Sequence, residues 1–328
     1  MSLWGIDTLC IVGAGGENAA CSLYVDVEIT MRFAPLVDNL QILSQGKVRD
    51  VYSIGENRLL VVASDRISTH NQVHESIIPG KGIILTALSV FWFKEMRCAN
   101  IRTHLIASGR DIYEYLPEGV YPDDLHLRAM VVRKLKMLPI EFVFRLFMAG
   151  SLWREYCAGN DPYGLNLPPG LELMSEFDCP VLTPTCKSED DEPCEARVVK
   201  LRNAEAFVSM RFAVIWADRV LRNRGIRLID TKLEAGLVGG QYFIGDEVFT
   251  LDNSRFCLAS ECGTPGTMPP SFDKEVVRSL AMRRFEGRAP HPVTFSPREI
   301  ESIRYHYHDV FKRIVGVSLE EFKSEFLS

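Results

Sequence analysis

The sequence predicts an α+β fold made of two lobes and a helical segment that follows them. Its 328 residues exceed what a single core usually holds, so two lobes with a cleft between them are expected. Two regions show the alternation and turn residues of β-hairpins, and other segments show the apolar spacing of helices. The composition, 47% hydrophobic and 24% charged, is that of a globular protein.

The first lobe is predicted to be mainly β. Residues 47–52 alternate in side-chain type, 55–57 are typical of a turn, and 58–63 form an apolar run rich in β-formers. Together they indicate a hairpin. The other elements predicted for this lobe are a helix over 85–96 and a strand over 130–134.

The second lobe is predicted to mix helices and strands. Pro139 begins an apolar segment that is interpreted as a helix through Val143 and Phe147. Residues 159–197 are rich in proline, glycine and acids and are expected to be mostly loop. The remaining predicted elements are a helix over 202–223, strands over 226–233 and 241–250 separated by a turn at Gly236, Gly239 and Gly240, and C-terminal helices with apolar residues at Ile300, Ile303, Val310 and Ile314.

Charge and hydropathy exclude two classes of partner. A net charge of −6 argues against a nucleic-acid surface, which is usually basic. The longest apolar run, 83–93, is too short to cross a bilayer, so no membrane partner is expected. The nine cysteines are scattered and match neither a disulfide framework nor a zinc pattern, which favours a cytoplasmic location.

A basic segment opens the predicted hairpin. In an extended strand residues two apart share a face, so Lys47 and Arg49 are expected to project together beside Gly46, which admits close backbone approach. Such a place suits a polyphosphate. Two basic residues on a solvated strand face give the same pattern, so that alternative stays open.

Carboxylates gather on the second predicted hairpin. Asp230, Lys232 and Glu234 share one face, and Asp246 arrives from the facing strand. A few carboxylates together with substrate phosphates and water suit Mg²⁺. Cross-strand salt bridges would explain the same residues.

A third candidate site surrounds Arg145. An arginine in an apolar helix needs a partner, and a bound phosphate would serve. Gly150 and Ser151 offer a backbone amide and a hydroxyl to the same anion. The alternative is an ion pair between Arg145 and Glu141, four residues apart on one helix.

A series of short segments runs along the chain. They are GKVRDVY (46–52), SDRIS (64–68), IPGKG (78–82), LPIE (138–141), Arg145, AGS (149–151), LTPT (182–185), DTKLE (230–234), DEV (246–248) and NSRF (253–256). In these segments and in their order, the chain resembles the phosphoribosylaminoimidazole-succinocarboxamide synthase (SAICAR synthetase) family over about residues 43–258.

The resemblance implies a SAICAR-synthase-like fold related to ATP-grasp proteins, with an antiparallel β first lobe, an α+β second lobe and C-terminal helices. The implied division is an N-terminal extension at 1–40, a nucleotide-binding lobe at 41–135, an ATP and substrate lobe at 136–258, and a helical segment at 259–328. A monomer is expected.

The family's functional residues fall on matching positions of this chain. The implied ATP-binding residues are Gly46, Lys47, Arg49, Lys232 and the hinge from Lys134 to Met137. The implied metal ligands for Mg²⁺ are Glu234 and Asp246. The implied substrate-binding residues are Asn71, Arg145, Ser151, Asp191 and Arg255, and the implied catalytic residues are Lys232 and Asp191.

The implied reaction joins L-aspartate to a phosphoribosyl-aminoimidazole carboxylate with ATP. A carboxylate is a poor acyl donor, so ATP first converts it to an acyl phosphate, which the aspartate amine attacks. Two alternative functions remain open beside this reaction: a diverged ATP-dependent ligase acting on another carboxylate, and a non-catalytic nucleotide-binding module.

The chain departs from the family's pattern at several positions. Asp190 replaces a histidine beside the substrate loop, and its extra negative charge is expected to affect the binding of anionic substrates. Ala235 and Cys257 replace large aromatic residues and are expected to change packing.

Overall fold

The computed structural model describes residues 40–188, 191–262, 264–270, 272 and 274–328. Its first sheet has five antiparallel strands in the order β1-β2-β3-β7-β6. These strands are β1 (Ile42–Gln45), β2 (Arg49–Ser53), β3 (Arg58–Ala63), β6 (Leu105–Ser108) and β7 (Ala129–Arg133), and a separate sheet pairs β4 (Arg66–Thr69) with β5 (Gln72–Ile77). The first predicted hairpin is confirmed as β2 and β3.

Strand β7 is buried on both of its faces. Ala129 and Val131 belong to a core cluster with Leu60 of β3, whereas Met130 and Val132 join the main core of the molecule. Successive side chains of a strand point to opposite sides, so the two clusters lie on opposite faces of the first sheet.

The second sheet is organised by one long strand, β12 (Ile226–Val238). Its first half lies between β9 (Ile140–Phe147) and β14 (Ser254–Leu258), and its second half lies between β13 (Gln241–Gly245) and β8 (Lys136–Met137). Strands β10 (Glu176–Leu182) and β11 (Thr185–Cys186) pair with β9. The five-stranded sheet thus draws on residues 42–133 and the second sheet on residues 136–258; the lobe boundaries remain a prediction.

Eight α-helices and one 3-10 helix, Gly109–Tyr115, are found in the part of the chain that the structure describes. The α-helices are α1 (Lys81–Cys98), α2 (Leu125–Arg128), α3 (Gly150–Cys157), α4 (Ala196–Arg202), α5 (Ala204–Arg222), α6 (Glu275–Phe285), α7 (Pro297–Val315) and α8 (Leu319–Phe326). Helix α7 has sharp ends because Ser296 and Glu299 form a capping box and Gly316 follows it with a φ of 88°. It packs against α1.

The prediction of a helix after Pro139 was wrong, because residues 140–147 form strand β9. Apart from Glu141 and Arg145 this segment is apolar, and it lies between β12 and β10 in the second sheet. A short, fully buried strand and a buried helix cannot be distinguished by apolar spacing alone. The helix begins only at Gly150.

Two further element boundaries differ from the prediction. The helix predicted over 202–223 is interrupted at Asn203, whose side-chain amide donates to the carbonyl of Val199 at 3.2 Å. Strand β12 continues through Gly236, which pairs with Met137 of β8. Leu135, just before β8, comes so close that a Cβ on residue 236 would lie 2.7 Å from Leu135 Cβ, so glycine is required there. The turn is confined to Gly239 and Gly240.

The residues 159–197 contain more structure than the predicted loop, namely β10, β11 and the start of α4. The sulfur atoms of Cys186 and Cys194 lie next to each other, as do those of Cys257 and Cys262, at sequence separations of eight and five residues. No helix among the described residues has the length and hydropathy needed to span a bilayer.

His74 joins β5 to the segment before α7 and makes stability depend on pH. Its Nδ1 accepts a hydrogen bond from the amide of Val293 at 3.3 Å, and its Nε2 lies 2.7 Å from Thr69 Oγ1. Burial, reinforced by the charge of Lys274, lowers the pKa of His74 to about 4. The folded protein therefore holds the neutral ring.

We expect the free energy of unfolding to fall as the pH drops from about 6.5 to about 4, because the unfolded chain binds a proton there that the folded chain does not. Urea unfolding at several pH values should show a shallower pH dependence in His74→Gln than in wild type. His306→Gln, on α7, is the matched control. An identical pH dependence in His74→Gln would contradict this role.

Candidate active site

The candidate site follows the middle of β12, where Asp230, Lys232 and Glu234 lie at alternate positions. Strands β9, β13 and β14 all pair with β12 in this region, so each of these side chains has neighbours from another strand. A pocket of about 510 Å³ opens at the Asp230 end. Its lining residues are His70, Val143, Arg145, Gly150, Ser151, Arg154, Asp230, Thr231, Lys232, Asp252, Asn253, Ser254, Arg255, Glu275, Arg278 and Met282.

Two arginines hold Asp230 from opposite sides in this pocket. Arg145 on β9 and Arg255 on β14 are both register partners of Asp230 on β12. Arg145 Nη1 donates to Asp230 Oδ2 at 2.8 Å, and Arg255 Nε donates to Asp230 Oδ1 at 2.8 Å. Although burial opposes ionisation, these arginines hold the pKa of Asp230 below its usual value. Two positive charges against one carboxylate leave this wall net positive.

The remaining donors of Arg145 fix its guanidinium in one plane. Nε donates to Thr183 Oγ1 at 2.9 Å, Nη1 also donates to the carbonyl of Ala149 at 3.1 Å, and Nη2 donates to Ser151 Oγ at 2.8 Å. Arg145 is therefore a preorganised cation at the pocket wall, next to the first turn of α3. The alternative of an ion pair between Arg145 and Glu141 is not found, because these residues lie on a strand, where Arg145 pairs with Asp230 and Glu141 pairs with Lys232.

A second cluster lies further along β12 and contains two carboxylates. Glu234 accepts hydrogen bonds from Lys187 and, at 3.3 Å, from Lys232, which also donates to Glu141. Glu234 is the register partner of Gly245, so Asp246 follows beside it. Burial and the charge of Glu234 raise the pKa of Asp246 in spite of the nearby Arg49.

The raised pKa of Asp246 identifies a place where negative charge is crowded and a cation would be favoured. The donor set of Glu234 and Asp246 fits Mg²⁺, which takes one or two carboxylates together with phosphate oxygens and water. No group of three or more potential metal-ligating side chains occurs among the described residues. The fit therefore depends on oxygens that a bound phosphate would add.

The basic segment of the first sheet differs from its prediction. Gly46 lies in a turn before β2, and a Cβ there would come within 2.9 Å of the Arg49 carbonyl oxygen. Lys47 and Arg49 therefore do not share a strand: Lys47 donates to Asn71 Oδ1 at 2.8 Å, whereas Arg49 donates to Glu247 and lies 3.5 Å from Asp246. The structure thus brings Arg49 to the carboxylate cluster and pairs Lys47 with Asn71.

The predicted hinge lies at the edge of the second sheet. Lys136 and Met137 form β8, opposite Gly236 and Leu237, while the amide of Lys134 donates to the carbonyl of Asn57 at 2.9 Å. That amide is already used within the protein. A contact of the hinge with adenine remains a prediction.

Two predicted substrate residues, Asn71 and Asp191, are not among the described residues that line the pocket, although Asn71 directly follows His70, which lines it. Asp191 belongs to the loop between β11 and α4, where its amide lies 3.4 Å from the carbonyl of Ser188 and its φ is 49°. Asp190 lies outside the described residues.

Several residues of the site were not predicted. Lys187 lies in an irregular loop, where no periodic pattern assigns a direction to its side chain. Arg154 lies on helix α3 and Arg278 on helix α6, and the direction of their side chains depends on how those helices pack. Arg145, Arg255 and Asp230 were each singled out from the sequence, but their contact with one another was not, because it required the correct strand assignment of residues 140–147.

Comparison with known proteins shows the family to which the chain is similar. The sequence model described as SAICAR synthetase matches residues 42–289. The phosphoribosylaminoimidazole-succinocarboxamide synthase of Pelobacter propionicus is 35% identical over 291 residues, which are 85% of this chain and 96% of that protein.

Solved structures agree with this result. The SAICAR synthase of Saccharomyces cerevisiae, solved in complex with SAICAR, superposes with a TM-score of 0.77 at 30% identity, covering 88% of this chain and 99% of that one. A type-2 SAICAR synthetase in complex with ADP has the same fold, with a TM-score of 0.59 at 23% identity, covering 85% of this chain and 99% of that one.

Proposed function

Because the chain belongs to the SAICAR synthetase family, we propose that it joins L-aspartate to 5-amino-1-(5-phosphoribosyl)imidazole-4-carboxylate while ATP is converted to ADP and inorganic phosphate. The observation that carries this proposal is the arrangement along β12. A net positive pocket around Arg145 and Arg255 lies on the same strand face as the carboxylates and lysines near Glu234. One end suits the phosphate of a ribotide, and the other suits the phosphates of ATP.

Lys232 connects these two regions. It lines the pocket and also contacts Glu141 and Glu234. Those two carboxylates outweigh the cost of burial and raise the pKa of Lys232 above its usual value, so the ammonium stays charged at all working pH values. We assign to Lys232 the role of neutralising the negative charge of the phosphoryl group while that group moves from ATP to the ribotide carboxylate.

The reaction balances in two steps. In the first, an oxygen of the ribotide carboxylate forms a bond to the γ-phosphorus of ATP, the bond from that phosphorus to the β,γ-bridging oxygen breaks, and ADP leaves. In the second, the aspartate amine attacks the acyl carbon, inorganic phosphate leaves, and the nitrogen loses a proton as the amide forms. No protein nucleophile is required, so positioning and charge neutralisation are the work of the protein.

We assign Glu234 and Asp246 to Mg²⁺, which when bound would neutralise the phosphates of ATP. Arg145, Ser151 and Arg255 are assigned to the ribotide phosphate or carboxylate. Gly46, Lys47, Arg49 and the hinge are assigned to ATP. Asn71 and Asp191 keep their assignment to the substrates, and Asp191 requires the loop after β11 to reach the pocket.

We expect continued turnover, beyond one ADP per active site, to require all three substrates. Purified protein with ATP, Mg²⁺ and the ribotide should form ADP and the succinocarboxamide product in equal amounts only when aspartate is added. ADP binding without aspartate-dependent turnover would contradict the proposed reaction and favour the nucleotide-binding module. Turnover with a different carboxylate, and none with this ribotide, would favour the diverged ligase.

A further inference from the structure

Asp252 is a buried carboxylate at the wall of the active-site pocket. Its Oδ2 accepts a hydrogen bond from Lys81 at 2.9 Å and lies 3.3 Å from Lys274 Nζ, while its Oδ1 accepts one from Tyr307 at 2.8 Å. Although burial opposes ionisation, Lys274, Lys81 and the hydroxyl of Tyr307 hold the pKa of Asp252 well below its usual range. Asp252 therefore stays charged and hydrogen-bonded on both oxygens.

The three donors come from distant parts of the chain. Lys81 begins α1, Lys274 precedes α6, and Tyr307 lies in the middle of α7. Tyr307 is fully buried, and Lys81 Nζ also lies 5.9 Å from the centre of its ring. Helix α7 begins beyond residue 289, where the match to the family model ends, yet it supplies a hydroxyl to a residue of the pocket wall.

Asp252 belongs to the 246–253 loop, which joins the two regions of the site. Its neighbour Asn253 donates from Nδ2 to the carbonyls of Lys232 at 3.1 Å and Glu247 at 2.9 Å, and the amide of Lys232 donates back to the carbonyl of Asn253 at 2.9 Å. At the other end of the loop, Asp246 contacts Arg49. Asp252 is therefore linked through its neighbour Asn253 to the backbone of Lys232 and, through the carbonyl of Glu247, to the residue that follows Asp246.

We propose that Tyr307 is a positioning residue that holds the 246–253 loop through its hydrogen bond to Asp252, and thereby places Asp246 for the cation that accompanies the nucleotide. The inference rests on the proposed function, because it takes the assignment of Asp246 from there. It extends the site to a helix that touches none of the reacting groups. Lys81 and Lys274 neutralise Asp252 and contact its Oδ2, whereas Tyr307 holds its Oδ1.

The test is Tyr307→Phe, which removes the hydroxyl and keeps the ring against Lys81. The dissociation constant of ADP should be measured by calorimetry with and without Mg²⁺, well below the unfolding temperature. We expect the gain in ADP affinity that Mg²⁺ produces to be about 10-fold smaller in the variant, since a hydrogen bond to a charged group is worth about a factor of ten or more. Tyr305→Phe, on the exposed side of the same helix, should leave that gain unchanged.

The outcomes separate this inference from the proposed function. An unchanged Mg²⁺ effect in Tyr307→Phe would overturn the inference even if the melting temperature fell, because that result would be purely structural. A wild-type protein whose ADP affinity does not respond to Mg²⁺ would overturn it as well. If the wild type makes no succinocarboxamide but Tyr307→Phe weakens the Mg²⁺ effect, the positioning role stands and the proposed reaction fails.

Discussion

Glu234→Gln should lower kcat by at least about 100-fold, on the scale of removing one preorganised electrostatic group from an active site. The side chain keeps its size and loses the charge that faces Lys187, Lys232 and the crowded Asp246. Steady-state rates over a range of Mg²⁺ concentrations would measure the effect. Saturation with Mg²⁺ should not restore the rate if Glu234 is a metal ligand.

Glu176→Gln is the matched control for this experiment. Glu176 is also a strand carboxylate paired with basic residues, Arg222 and Arg227, but it is half-exposed and lies outside the pocket. Its replacement should leave kcat unchanged. Retained activity in Glu234→Gln, with wild-type dependence on Mg²⁺, would move the metal to other residues.

Arg145→Met should have the second largest effect, on both substrate affinity and stability. Arg145 is buried and donates to Asp230, Thr183 and Ser151, so its loss removes a cation from the pocket and one of the two arginines that hold Asp230. Removing one partner of a buried ion pair costs about 3 to 5 kcal/mol, although Arg255 remains to limit that cost here. We expect KM for the ribotide to rise about 100-fold, with a smaller change in KM for ATP.

Measurement of both KM values in the folded variant separates the loss of affinity from the loss of stability. The double variant Arg145→Met with Asp230→Asn measures the coupling between the two residues and should not recover the affinity, because the cation of Arg145 is still missing; Asp230 keeps Arg255 as its partner in the single variant. Arg222→Met, outside the pocket and paired with Asp218 and Glu176, is the control. An unchanged KM for the ribotide in Arg145→Met would exclude Arg145 from its binding.

The sequence predicted the parts of the fold whose patterns are local. The β2–β3 hairpin has alternating residues and a short turn, and the alternation of Asp230, Lys232 and Glu234 on β12 places all three on one face before any tertiary contact is known. The adjacency of Asp246 to Glu234 also followed from the hairpin. These predictions depend only on the period of a strand and the length of a turn.

The parts that were missed depend on packing between distant segments. Strand β9 was predicted as a helix because a segment buried on every side carries no alternation, and that error concealed the register in which Arg145 and Arg255 flank Asp230. The approach of Tyr307 to Asp252, 55 residues away in the chain, is set by the packing of α7 on α1. No local pattern of residues encodes such a contact.

The formation of an acyl phosphate is tested most directly by isotope transfer. The ribotide should be labelled with ¹⁸O at both carboxylate oxygens and converted with ATP, Mg²⁺ and aspartate, and the inorganic phosphate should be examined by mass spectrometry. We expect one ¹⁸O in each phosphate released and one in the amide carbonyl of the product. Unlabelled phosphate would contradict an acyl phosphate intermediate, because the carboxylate oxygen would then never have been bonded to phosphorus.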